Sequence, residues 1–322
     1  MTIFIETLHE HELYKKVHEH SLKLVDEINH NLSCKTIYGG DDVAIYAVGS
    51  LGRCEISKNS DIDIYAISEA DMVVKSDIDI LNKAAKKIYS LTGEVYDIDK
   101  KCLKVYGYKE LIDSIGNSFD DYNNTFTARM TLILEGRCLF NIKQYEKLIK
   151  LVLDGYFESR SFRNDKYPTI FLLDDIMRYW KTVCVNYEVS YNNLSPKIEM
   201  KKISLRFSRS LMVFSTILNI LAQEHVTSNS IYNFCLLSPL ERLAKALDEI
   251  GDISLLDDYS TYLNLYLEFI NMKSEVNVLK RLDNDIGFRN SCEEKGEKCI
   301  DILYKFLSSD KLNSALKKHL IM

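Results

Sequence analysis

The facing ends of two short β-branched runs constrain this chain more than any other feature. The first, Val43–Val48 (VAIYAV), stops at Gly49-Ser50, and the second, residues 61–67 (DIDIYAI), starts with acid. Both have strand length and strand composition, which predicts two neighbouring β-strands. Side chains alternate across a strand, so Asp61 and Asp63 project from one face while Ile62 and Ile64 point to the other, into a core. Two carboxylates in one small space repel each other unless a cation lies between them. Hard oxygen donors at the mouth of a sheet suit Mg²⁺, which takes few carboxylates and completes its shell with substrate phosphates. The Gly-Ser turn offers the phosphate side, because a glycine after a strand lets backbone N–H groups converge on an anion and the Ser50 hydroxyl adds a donor. An isolated Asp-x-Asp at a strand edge is more often a charge pair that protects the edge. The ordered set of strand, Gly-Ser, about ten residues, Asp-x-Asp and strand is far more restrictive and points to a metal-dependent phosphate site.

Gly49-Ser50, then Arg53 and Glu55, then Ser60-Asp61-Ile62-Asp63 together resemble the signature of the DNA polymerase β nucleotidyltransferase superfamily. Within it, the G-R-x-E and S-D-I-D elements are most similar to the bacterial PII-uridylyltransferases and their relatives with a helical substrate-binding domain. Residues 126–141, 171–188 and 201–215 resemble helical segments of those relatives, so the resemblance spans most of the chain. It implies an enzyme that moves a nucleoside monophosphate from an NTP to an acceptor hydroxyl and releases pyrophosphate. Asp61 and Asp63 would hold one or two Mg²⁺ (or Mn²⁺), Gly49 and Ser50 would fix the triphosphate, and Arg53 would add positive charge. Such enzymes usually take a third carboxylate, the base, from a further strand. Residues 94–99 (EVYDID) read as that strand, with Asp97 and Asp99 on one face. Asp97 corresponds to the acid of a W-D-I in the relatives, and Asp99 is the alternative. The acceptor implied first is a protein side chain, ahead of an RNA 3′ end, as in toxin-like members, or a small molecule. A non-catalytic nucleotide-binding module on the same fold is the remaining alternative.

The rest of the chain reads as support. Residues 8–28 set Leu13, Val17, Leu24 and Ile28 on one stripe of a helix expected to pack on the sheet. Ser76 is placed to cap a helix whose apolar positions, from Ile80 to Leu91, keep helical spacing up to Gly93. From about residue 123 the pattern becomes long and helical, with Pro168, Pro196 and Pro239 each at a helix start. The expectation is an α+β chain: a small mixed sheet with covering helices over residues 1–120, then an all-α bundle over residues 121–322. In the bundle, Asp174, Arg178 and Lys181 share one helix face, and Lys202, Arg206 and Arg209 share another. Such stripes are often solvated ion pairs worth little. One aspartate cannot neutralise five cations, however, and a basic wall would grip a triphosphate or an acidic acceptor. Arg178, Lys181 and Arg206 are therefore candidate nucleotide-binding residues.

Composition narrows the partners. A formal net charge of −6 and a pI near 5.7 lack the basic footprint that holds long nucleic acid, which counts against RNA as the acceptor. The eight cysteines stand singly without a C-x-x-C, and no apolar h-region opens the chain. That predicts reduced thiols in a cytoplasmic protein and no structural zinc. The longest nearly apolar run, residues 211–222, is too short to span a bilayer, so no membrane segment is expected.

Overall fold

The computed structural model describes residues 2–33, 41–93, 95–99, 103–157, 167–189 and 196–320. In chain order the elements are α1 (Ile3–Glu10), α2 (Glu12–Ser33), β1 (Val43–Val48), α3 (Gly49–Gly52), β2 (Asp63–Ser68), α4 (Lys75–Thr92), β3 (Lys104–Gly107), α5 (Tyr108–Asp113), α6 (Phe119–Tyr122), α7 (Thr125–Glu135), β4 (Arg137–Phe140) and α8 (Ile142–Phe157). There follow α9 (Tyr167–Val189), α10 (Pro196–Ser204), α11 (Ser210–Ala222), α12 (Ser228–Cys235), α13 (Pro239–Ile250), α14 (Leu256–Lys273), α15 (Val278–Asn284), α16 (Ile286–Leu307) and α17 (Ser314–Lys317). The class is α+β, mostly helical, with one four-stranded mixed sheet among the described residues. Contacts divide the chain into a sheet unit, Lys16–Thr169 with Thr227–Ser238, and a helical unit, Met1–Lys15 with Ile170–Val226 and Pro239–Met322.

In the sheet unit the strand order is β3-β2-β1-β4. The β1 strand pairs antiparallel with both β2 and β4, and β2 pairs parallel with β3. Val43, Ile45 and Ala47 of β1 and Ile64 and Ala66 of β2 share a core with Leu24, Val25, Ile28 and Leu32 of α2 and with Ile80, Leu81, Ala84 and Ile88 of α4. Ile62 and Ile64 are fully buried, as the alternation predicts. On the opposite face Tyr46 lies across from Tyr65, and its ring centroid is 5.9 Å from that of Tyr145 on α8. Burial on both faces explains why β1 reads as a continuous apolar run rather than an alternating one.

Three local expectations in the sheet unit differ from the structure. Residues 95–99 form an isolated parallel bridge, Ile62 with Ile98, and the strand beside β2 is Lys104–Gly107 instead. The Asp97 carboxylate accepts from the Ile98 N–H at 2.8 Å, a local turn bond that competes with a ladder. Glu94, the first residue of that stretch, lies outside the described residues. Within the stretch read as helical beyond residue 123, Arg137–Phe140 is β4, because Gly136 (ψ 131°) turns the chain extended as α7 ends. The start of α4 is held by Asp77, which accepts from the Val74 N–H at 3.3 Å and from the Ser68 hydroxyl at 2.9 Å; Ser76 is already helical. The helix ends at Gly93 as expected.

In the helical unit, α1 donates its Phe4 and Ile5 N–H groups to the Asp248 carboxylate of α13 at 3.0 and 3.1 Å. Those first-turn donors have no partner inside their own helix, so the carboxylate both satisfies them and complements the helix dipole. The Phe4 ring meets Tyr259 of α14 edge-on at 5.4 Å. The helix expected over residues 8–28 is accordingly two helices, separated at His11 (ψ 112°). Pro196 and Pro239 open α10 and α13, and Pro168 sits in the first turn of α9, where a missing N–H costs nothing. A π-helical turn, Leu205–Arg209, links α10 to α11. The resulting helix Pro196–Ala222 has the length and apolarity to cross a membrane, yet 72% of its apolar window is buried within the protein, as in a core helix.

Candidate functional site

The antiparallel register of β1 and β2 closes on the pair Val48–Asp63, immediately before Gly49. Gly49 has φ +68°, the left-handed region open to glycine at no steric cost. A Cβ at this position would lie 2.6 Å from Asp63 Oδ2, so the carboxylate rests over the bare α-carbon. The single turn α3 follows, with the Arg53 N–H donating to the Gly49 carbonyl at 3.0 Å and Ser50 buried within it. Gly52 is a second sterically required glycine, since a Cβ there would lie 2.1 Å from the Glu135 carbonyl oxygen. The Gly-Ser turn is thus clamped between the end of α7 and the Asp63 side chain.

Arg53, read as a source of charge for a nucleotide, is buried in a carboxylate pair. Its guanidinium reaches Glu55 Oε1 from Nη2 and Nε at 2.6 and 2.7 Å and pairs with Glu135 through the third nitrogen, Nη1. The G-R-x-E pattern therefore ties the turn to the C-terminus of α7. Glu135, distant in sequence, carried no signal of this role.

Asp61, Asp97 and Asp99 line one open cleft of about 1170 Å³, together with Asn82, Ala85, Lys86 and Tyr89 of α4 and with Ile98 and Leu103. The Ile62 N–H donates to the Asp97 carbonyl at 2.8 Å, which holds the two acidic segments side by side. Asp63 is half-buried on the Gly49 side, while Asp61 and Asp97 are exposed. Among the described residues, no three of His, Cys, Asp and Glu converge as a ready cage for a metal ion. Asp61 and Asp63 nevertheless fit Mg²⁺ by donor chemistry, because that ion needs only one or two carboxylates and takes its remaining oxygens from water and phosphate. The room that Gly49 leaves for the Asp63 carboxylate is the structural feature that matches.

The other candidate residues belong to the helical unit. Arg178 and Lys181 line an open cleft of about 900 Å³ with Asp174, Asp175 and His319. Burial raises the Asp174 carboxyl above its ordinary value, while His319 and Lys181 pull it the other way. Arg206 is joined to Glu297 of α16 at 2.6 Å, and Lys202 to Glu199 at 3.1 Å. Arg209 lines a separate pocket with Lys201, Tyr179 and Tyr187. The two sequence stripes therefore divide, with Arg178 and Lys181 facing a cleft and Arg206 held by a carboxylate. No protein-family model matches the chain, and no curated protein matches it either.

Proposed function

We propose that this protein is a Mg²⁺- or Mn²⁺-dependent nucleotidyltransferase that moves a nucleoside monophosphate from an NTP to an acceptor hydroxyl. The observation that carries this reading is the seating of the Asp63 carboxylate on the α-carbon of Gly49, at the start of a buried Gly-Ser turn. Held by Asp61 and Asp63, a divalent cation supplies Lewis-acid stabilisation of the charge that builds on the phosphate oxygens. The Gly49-Ser50 turn presents backbone N–H groups and a hydroxyl to the triphosphate. The acceptor oxygen bonds to the α-phosphorus as the bond from that phosphorus to the pyrophosphate oxygen breaks. The hydroxyl proton passes to a carboxylate of the cleft, Asp97 or Asp99. Arg53 acts at one remove, by anchoring the turn to α7 through Glu135. Arg178 and Lys181 of the helical unit, with His319 beside them, offer a grip for an anionic group. Arg206 contributes less, being held by Glu297.

A protein hydroxyl is the acceptor in this reading, the one that the resemblance to the uridylyltransferase relatives implies first, and a net charge of −6 provides no long-range attraction for RNA, the second. The six described cysteines are free thiols, the state that a reducing cytoplasm maintains. Incubation with each α-labelled NTP in cell extract tests the proposal. Label should enter protein in the presence of Mg²⁺, stop with EDTA, and be lost in Asp61→Asn and in Asp63→Asn. Metal-independent labelling, or labelling unchanged in both variants, overturns the reading; label found in RNA replaces the acceptor.

A further inference from the structure

The cleft beside Asp61 has a second wall of different chemistry. Asn82, Ala85, Lys86 and Tyr89 are spaced by three and four residues, so they form one face of α4. Tyr89 is 55% exposed, a large aromatic held at the surface of the cleft. Its position is set from behind by Gly93. That residue has φ −65° and ψ −12°, angles open to any amino acid, so its backbone does not require glycine. What requires glycine is space, because a Cβ at Gly93 would lie 2.9 and 3.0 Å from Tyr89 Cε2 and Cδ2, and 2.5 Å from the Tyr89 carbonyl oxygen. The ring therefore rests against the α-carbon that ends its own helix.

An aromatic platform, an amide that both donates and accepts, and an ammonium, placed along a cleft that begins at carboxylates, make up the recognition set of a nucleoside phosphate. Aromatic rings stack any base, amides read base edges, and ammonium groups hold phosphate. A cleft of about 1170 Å³ has ample room for a nucleotide. We infer that this face of α4 is the nucleoside subsite for the NTP: the base stacks on Tyr89, Asn82 bonds its edge, and Lys86 lies on the phosphate side. The inference rests on the reading of Asp61 and Asp63 as the metal and triphosphate site, of which Asp61 lines this cleft.

Calorimetric titration of the full chain with each NTP and with inorganic triphosphate, all with Mg²⁺, separates the two readings. Tyr89→Ala should weaken NTP binding at least about fivefold, the lower end of what one base stack contributes, and leave inorganic triphosphate binding unchanged. Tyr89→Phe, which keeps the ring, should bind NTP as the wild type does. If Tyr89→Ala binds NTP normally, or loses NTP and inorganic triphosphate equally, the nucleoside subsite is overturned while the triphosphate site stands. If the wild type binds neither, the triphosphate reading falls and the subsite falls with it.

Discussion

At Gly49 two separate demands meet, a left-handed backbone and a neighbour occupying the place of a side chain, and a second glycine lets them be weighed apart. Gly251 has nearly the same φ, +64°, but a Cβ there would meet nothing closer than the Asp248 carbonyl at 3.9 Å. Gly251→Ala should thus report the backbone penalty alone, about 1 to 2 kcal/mol. Gly49→Ala should cost more, because Asp63 must also move, and should remove any stabilisation that Mg²⁺ with NTP confers on the wild type. Urea denaturation of both variants, with and without ligand, measures this. Equal losses would mean that the Asp63 carboxylate yields freely and is not held by the turn.

The helices that close the sheet unit depend on a charge inside an apolar segment. Arg129, in the TFTARMTLILE sequence of α7, has no exposed surface. It forms a two-pronged pair with Asp120 of α6 at 2.6 and 3.0 Å, and donates to the Tyr156 hydroxyl of α8 at 2.7 Å and the Leu111 carbonyl of α5 at 2.9 Å. Thr125 donates to the same Asp120 carboxylate at 2.8 Å. One side chain thereby joins four helices. Arg129→Met leaves Asp120 buried without its counter-charge, which should cost roughly 3 to 5 kcal/mol. Adding Asp120→Leu should recover much of that loss, since an apolar pair no longer carries an orphaned charge. Thermal melts of the single and double variants decide it; a double variant no more stable than the single one would assign the cost to packing. Helical periodicity could place Arg129 on α7 but could not show what it meets, because its partners come from three other elements.

Across the whole molecule, burial sets the reactivity of the thiols. Burial pushes Cys138 of the sheet unit and Cys299 of the helical unit up to about 12. The thiolate is the reactive form, so at pH 8 roughly one molecule in ten thousand carries it at either site. Cys184 on α9 is only half-buried. Iodoacetamide labelling of the native protein at pH 8, read by peptide mass spectrometry, should modify Cys184 well before Cys138 or Cys299, and unfolding should abolish the difference. Comparable native labelling at all three would show that the units open far more readily than their packing implies.

What could be read along the chain was what depends on near neighbours. Alternation placed Ile62 and Ile64 in the core, Gly49-Ser50 at the end of β1, and Gly93 at the end of α4, because strand period and turn chemistry are local. The proline starts of α10 and α13 were legible for the same reason. Pairing was not. β4 is only four residues long, too short for its pattern to distinguish it from a helix end, and it is a strand because β1 offers it a ladder. Asp97 and Asp99 were legible as acids sharing a face, but their place beside Ile62 comes from a single parallel bridge rather than a strand. Arg53 looked like a free cation until Glu135, 82 positions away, came to lie against it. Tyr89 carried no signal in the sequence, and only the fold puts it in one cleft with Asp61 and Asp97. In each case the deciding contact joins residues remote in sequence, and its energy exists only once the chain has closed the loop between them.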